Sequence, residues 1–208
     1  MTTRRSFVRA AEETRRADLI EATLDLIAEG GPQAATVRAI ALRAGVTPGL
    51  IRHYFATKED LVAAAHQALM GSLTEATLAR IEALPDNPPA RLAEFVSATV
   101  SPPIADARGV SLWAAMLQGV ARDPQLHRMH RATYLDLRNH LEAMIRQALT
   151  HAGRPTDDSQ ALAIAANALL DGLWIEAGAL PDEFQPDQLK NIGIKALSRL
   201  LQIELPEV

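Results

Sequence analysis

Residues Thr36 to Phe55, TVRAIALRAGVTPGLIRHYF, constrain this chain more than any other stretch, because they read as two short helices joined by a tight turn. Thr36 can cap the free N–H groups of a helix from Val37 to Ala44, and Ile40 is placed to pack inward. Gly45 accepts the left-handed backbone that ends such a helix, with Val46 expected to be buried in the turn. Thr47 can cap a second helix whose first position is Pro48, where a missing N–H costs nothing. At about 1.5 Å per residue, Pro48 to Phe55 spans roughly 12 Å, about the width of a B-DNA major groove. The outline is that of a helix-turn-helix reading head.

Elsewhere the apolar residues recur at helical spacing, and no alternating β-branched run points to a sheet, so the expected fold is all-α. A first helix, about residues 14–29, carries Ile20, Leu24 and Ile27 on one stripe and stops at Gly30-Gly31-Pro32. Thr57 can cap a fourth helix that begins with Glu59 and Asp60 in its first turn and runs to about residue 83. Beyond Pro85, Pro88 and Pro89, helices are expected over about 90–100, 107–121, 124–152, 158–178 and 186–203, with Thr156-Asp157-Asp158 capping the fourth of these. The fourth helix therefore joins a three-helix DNA-binding domain, residues 1–60, to a helical ligand-binding and dimerisation bundle, residues 61–208. Apolar residues cover more than one face of the last two long helices, so each needs cover on two sides. Burial in a larger bundle or against a second copy supplies it, and a homodimer through these helices is expected.

The net charge of −4 looks unsuited to DNA, yet residues 1–60 carry nine bases against eight acids and the remainder carries a net −5. Those distant acids lie mostly beyond a screening length of about 8 Å from a bound phosphate. With no cysteine, the chain has no disulfide, no thiolate metal site and no cysteine nucleophile. The Arg-rich start lacks the apolar run of a secretion signal, which implies a cytoplasmic protein. Ala161 to Leu180 is the most apolar segment, but Asn167, Asp171 and Glu176 interrupt it, so it reads as a buried helix and no membrane partner is expected.

On the recognition helix, Ile51 and Phe55 should pin the head's core, leaving Thr47, Pro48, Gly49, Arg52 and His53 to face double-stranded DNA. Arg52 can bond guanine O6 and N7, or a phosphate. Gly49 lets the backbone approach closely, and Tyr54 can reach a phosphate through its hydroxyl or simply pack. Thr36 and Lys58 stand at helix N-termini, where N–H groups favour an anion, so both are candidate phosphate clamps as well as caps. Arg4, Arg5 and Arg9 form a basic arm able to follow a minor groove or to stay solvated. In the bundle, Trp113, Met116, Tyr134, Asn167, Asp171 and Trp174 combine apolar surface with a few polar groups, the mixture a small-molecule effector pocket needs; plain core is the alternative. Aromatic faces with a carboxylate suit a quaternary ammonium cation.

The order Gly30, Thr36, Ile40-Ala41, Ala44-Gly45-Val46, His53-Tyr54-Phe55, Lys58 and Leu61 resembles the signature of the TetR family of bacterial transcriptional regulators. That resemblance implies a dimeric repressor whose C-terminal helices bind a small molecule that alters the spacing of two DNA-reading heads on a pseudo-palindromic operator. Leu112-Trp113-Ala114-Ala115-Met116, Asp123-Pro124-Gln125-Leu126 and Ala168-Leu169-Leu170-Asp171-Gly172-Leu173-Trp174 look like the branch of choline-responsive repressors of glycine betaine synthesis. Two features could point elsewhere. His127 and His130, with Asp123 upstream, could hint at a metal-dependent or small-molecule-binding helical protein without DNA binding, but the spacing suits a two-histidine zinc site poorly and solvated helix histidines suffice. An enzyme needs a nucleophile, a base and an anion cradle, and neither a glycine-rich phosphate loop nor a nucleophile elbow is present. No catalytic residue, metal or cofactor is expected.

Overall fold

Glycine and proline punctuate the chain, and most helix ends in the structure coincide with them. The computed structural model describes residues 2–102 and 104–208, with the side chains of residues 2–11 and 181 outside the description. The elements are α1 (Thr2–Gly30), α2 (Val37–Arg43), α3 (Pro48–Tyr54), α4 (Lys58–Glu82), α5 (Pro88–Thr99), α6 (Ala107–Val120), α7 (Pro124–His151), α8 (Ser159–Ala179), a 3-10 turn (Pro181–Glu183) and α9 (Gln188–Leu201). Among the described residues there is no strand, and the all-α expectation holds.

The boundaries that differ from expectation have local causes. α1 begins at Thr2, well before residue 14. Its apolar stripe marks only the part that packs, whereas Ala-, Arg- and Glu-rich chain without Gly or Pro extends the helix upstream. The basic-arm side chains Arg4, Arg5 and Arg9 lie outside the described residues. α5 starts at Pro88 because Asn87 caps it, its side chain accepting from the Ala90 N–H at 3.2 Å, and the two prolines fill the first turn. α9 is confined to Gln188–Leu201 because Asp187 and Gln202 take left-handed backbones, with φ of 62° and 52°. Asp158 occupies the N-cap of α8 without a side-chain bond; the Ser159 N–H turns back to the Thr156 carbonyl instead.

The chain divides into two units, one of residues 2–69 with 111–130 and one of residues 70–110 with 131–208. The first is organised around Leu19, Leu24 and Ile27 of α1, Ile40 and Ala41 of α2, Ile51 of α3, Phe55, and Leu61 and Ala65 of α4, all buried. In the second, Leu92, Phe95 and Val96 of α5 pack with Leu141, Ile145 and Leu149 of α7, Ala163, Ala166 and Leu170 of α8, and Ile194, Leu197 and Leu201 of α9. Gly193 lets α9 approach α5, since a Cβ there would meet Val96 Cγ1 at 2.8 Å. α8 is long and apolar enough to cross a bilayer by length and composition. Among the described residues, Ala163, Ala166 and Leu170 on one face of α8 are in the core, while on another Ile164 is 48% and Ile175 37% exposed. The burial expected for this helix is therefore met on one side.

Candidate functional site

The reading head is built as its residue types require. The Thr36 hydroxyl accepts from the Ala39 N–H at 3.1 Å, capping α2. Gly45 has φ of 64° and turns the chain, while Val46, expected inside, is only half-buried. Thr47 stands at the N-cap of α3 with an extended backbone, but its side chain makes no cap bond, so its hydroxyl remains uncommitted to the helix. Ile51 and Phe55 are 2% and 5% exposed and seat α3 on the core. The Arg16 guanidinium lies 4.9 Å from the centre of the Phe55 ring, a cation–π contact on the same anchor. Thr47, Pro48, Gly49, Arg52 and His53 are exposed, and Tyr54 is half-buried with its ring edge-on to His53 at 5.3 Å.

Arginines in the head separate into committed and uncommitted groups. Arg43 donates to both Glu29 oxygens, at 2.9 and 2.6 Å, and stands 3.7 Å from Asp25. That pairing holds the Glu29 carboxyl below the usual carboxylate range and raises Arg43 further. Arg52 and Arg38 are exposed and form no ion pair among the described residues. Arg38 was absent from the sequence-derived set, although the lack of an acid three or four positions away on α2 was a signal that could have found it. Lys58 is the first residue of α4 and half-buried. Immediately before it, Thr57 and Asp60 form a reciprocal cap: the Asp60 N–H donates to Thr57 Oγ1 at 3.0 Å, and the Thr57 N–H donates to Asp60 Oδ2 at 3.0 Å. Asp60 Oδ1 accepts from Gln125 Nε2 at 2.9 Å. Bonds from Gln125 and Thr57 keep the Asp60 carboxyl below its ordinary range.

His130, expected as a solvated helix histidine, instead meets a buried partner. Its Nδ1 lies 3.2 Å from Nε2 of His66, which is 1% exposed and whose own Nδ1 has no hydrogen-bond partner. Burial, and then the proximity of His130, push His66 down to about 4. His127 is exposed, and among the described residues no three His, Cys, Asp or Glu side chains are grouped to hold a metal ion.

In the second unit, Asn167, Asp171 and Trp174 fall on one face of α8 at i, i+4 and i+7, where Tyr134 of α7 joins them. The Tyr134 hydroxyl donates to Asp171 Oδ2 at 2.6 Å, and Asn167 Nδ2 donates to the Tyr134 oxygen at 2.6 Å and to Asp171 Oδ2 at 3.0 Å. Burial and the bond to Asp171 push Tyr134 up to about 12. Trp174 is 9% exposed and donates its indole N–H to the Ile104 carbonyl at 2.9 Å. Four of the six sequence-derived ligand residues thus lie on two helices of the second unit. The other two, Trp113 and Met116, are on the part of α6 that belongs to the first, half-buried and buried respectively.

Comparison with known proteins matches the head and the body separately. Residues 19–65 match the bacterial regulatory proteins of the tetR family, and residues 88–202 match the C-terminal domain of BetI-type transcriptional repressors. The chain belongs to the TetR family, in its BetI-type branch. This TetR-family repressor is 34% identical over 164 residues to the HTH-type transcriptional regulator BetI of Klebsiella pneumoniae (strain 342), spanning 78% of this chain and 82% of that one. A transcriptional regulator from Pseudomonas aeruginosa PAO1 superposes with a TM-score of 0.85 at 34% identity over 92% of each chain. A regulator from Saccharomonospora viridis, solved in complex with choline, shares the fold with a TM-score of 0.75 at 19% identity, over 91% of this chain and 96% of that one. The protein is a transcriptional regulator and not an enzyme, of a family whose members bind operator DNA and small-molecule effectors.

Proposed function

We propose that this repressor binds a pseudo-palindromic operator as a homodimer in the bacterial cytoplasm and is released by a small quaternary amine. Residues 1–60 read DNA, and residues 61–208 hold the effector and the dimer partner. The observation that carries the reading is α3 itself: Ile51 and Phe55 seat it, while Thr47, Pro48, Gly49, Arg52 and His53 stand exposed with their polar groups uncommitted. Arg52 reads a base edge. Thr36, Tyr54 and Lys58 take phosphates, which position the helix without reading sequence.

The last two long helices make the dimer. The Tyr134–Asn167–Asp171 cluster and Trp174 serve the effector, a carboxylate and an aromatic face being the means by which proteins hold a quaternary ammonium. The choline bound to the Saccharomonospora viridis regulator supports a choline-type ligand.

The test is fluorescence anisotropy with DNA flanking the protein's own gene, titrated against salt and then choline. A dimer engaging about six to eight phosphates gives a log–log salt slope near −5 to −7, and Lys58→Ala makes it shallower. An unchanged slope in that variant would remove the clamp from Lys58. If choline shifts neither the melting temperature nor DNA occupancy, the quaternary-amine reading is wrong.

A further inference from the structure

The corner between α6 and α7 belongs to the same unit as the reading head. Asp123 fixes the start of α7, its Oδ1 accepting from the Gln125 N–H at 2.8 Å and the Leu126 N–H at 3.3 Å. Leu126 is buried, and Gly119 approaches so closely that a Cβ there would lie 2.7 Å from Leu126 Cδ2. Gln125 is thereby held with its amide on Asp60 Oδ1 at 2.9 Å. Two turns along, His66 of α4 meets His130 of α7 at 3.2 Å. These two contacts, six residues apart on α4 and five apart on α7, are two polar ties between the same pair of helices.

The two oxygens of Asp60 have different tasks. Oδ1 takes Gln125, whereas Oδ2 takes both the Thr57 N–H at 3.0 Å and the Thr57 hydroxyl at 2.8 Å. Thr57 caps α4, and Lys58, the first residue of that helix, follows it directly. We propose that Gln125 is a positioning residue for DNA binding: by holding one oxygen of Asp60 it orients the other on Thr57, and so sets the α4 N-terminus and Lys58 against an operator phosphate. This rests on the reading of the head given above.

The experiment compares wild type, Gln125→Glu and the double variant Gln125→Glu with Asp60→Asn, by anisotropy on the DNA flanking the gene and by thermal melting. Gln125→Glu sets two carboxylates against each other and is expected to weaken binding about tenfold with the melting temperature nearly unchanged. Adding Asp60→Asn restores a donor and acceptor: the amide introduced at position 60 donates to the carboxylate introduced at position 125, while the amide oxygen still accepts from Thr57. Affinity then returns to within about twofold of wild type. Equal binding by wild type and Gln125→Glu overturns the proposal, as does failure of Asp60→Asn to rescue, because the double variant regains both the wild-type net charge and a hydrogen bond between positions 60 and 125. A loss of melting temperature in step with the loss of binding would show a merely structural contact. Wild type failing to bind this DNA would overturn the reading of the head itself, an outcome distinct from all of these.

Discussion

Arg43 and Arg52 carry the same charge and meet different surroundings. Arg43 is spent on Glu29 and Asp25, tying α2 to α1, whereas Arg52 has no ionic partner among the described residues and stands on the exposed face of α3. Arg52→Ala is therefore expected to weaken operator binding about tenfold or more and to relax discrimination at one base pair, while Arg43→Ala leaves base discrimination intact; anisotropy on operator variants separates the two. His66 makes a prediction about pH. Its folded ring stays neutral down to about 4, against 6.5 for the unfolded chain. Between those values the unfolded state binds a proton that the folded state refuses, so stability is complete above pH 6.5 and is lost as pH falls toward 4. The full effect is on the order of 3 kcal/mol. His66→Leu should flatten that slope, which urea midpoints at neutral and acid pH would show; an unchanged slope would mean that other groups control it.

At the scale of elements, the two threonines that begin α2 and α3 look interchangeable in sequence and differ in the fold. Thr36 accepts from the Ala39 N–H, and Thr47 caps nothing with its side chain. Thr36→Ala should cost the head about 1 kcal/mol, whereas Thr47→Ala should leave the melting temperature unchanged and reduce affinity only. Equal melting losses in the two variants would contradict this division. The contrast also marks what was legible beforehand. Helix ends at Gly30-Gly31-Pro32, Gly45, Pro124 and Gly153 could be read because Gly and Pro act through their own backbones. The same local logic located the Ile51 and Phe55 anchors and the exposed face of α3. It could not anticipate Asp187 and Gln202, non-glycine residues held at positive φ by their surroundings. Nor could it foresee His66 against His130 or Asp60 against Gln125, pairs separated by 64 and 65 positions, since periodicity reports a face and not its partner. Tyr134 with Asn167 and Asp171 was legible as a set of residue types, though their mutual bonds were not.

For the whole molecule, the proposed dimer makes its prediction at the exposed face of α8. Ala161, Ile164, Ala165, Ala168, Gly172 and Ile175 all lie exposed, and Ile192 and Leu200 of α9 are 43% and 38% exposed, although these helices carry a core on their other sides. Exposed apolar side chains in such a row mark an interaction site, and a second copy of the same two helices is the occupant the proposed dimer puts there. Charge placed there should largely spare the folded chain, because Ile164 and Ile175 lie outside the buried core. Ile164→Glu with Ile175→Glu is therefore expected to yield a monomer in sedimentation with little change in helical content. Operator affinity should fall far more than any contact of α8 with DNA could explain. Two heads on one dimer make the second half-site encounter intramolecular, an advantage of about 10² to 10⁴ in affinity that a monomer forfeits. The salt slope should fall to about half as well, since one head releases half the counterions. A variant that remains dimeric would place the interface elsewhere. A monomer that keeps full affinity and slope would show that one head reads the operator unaided.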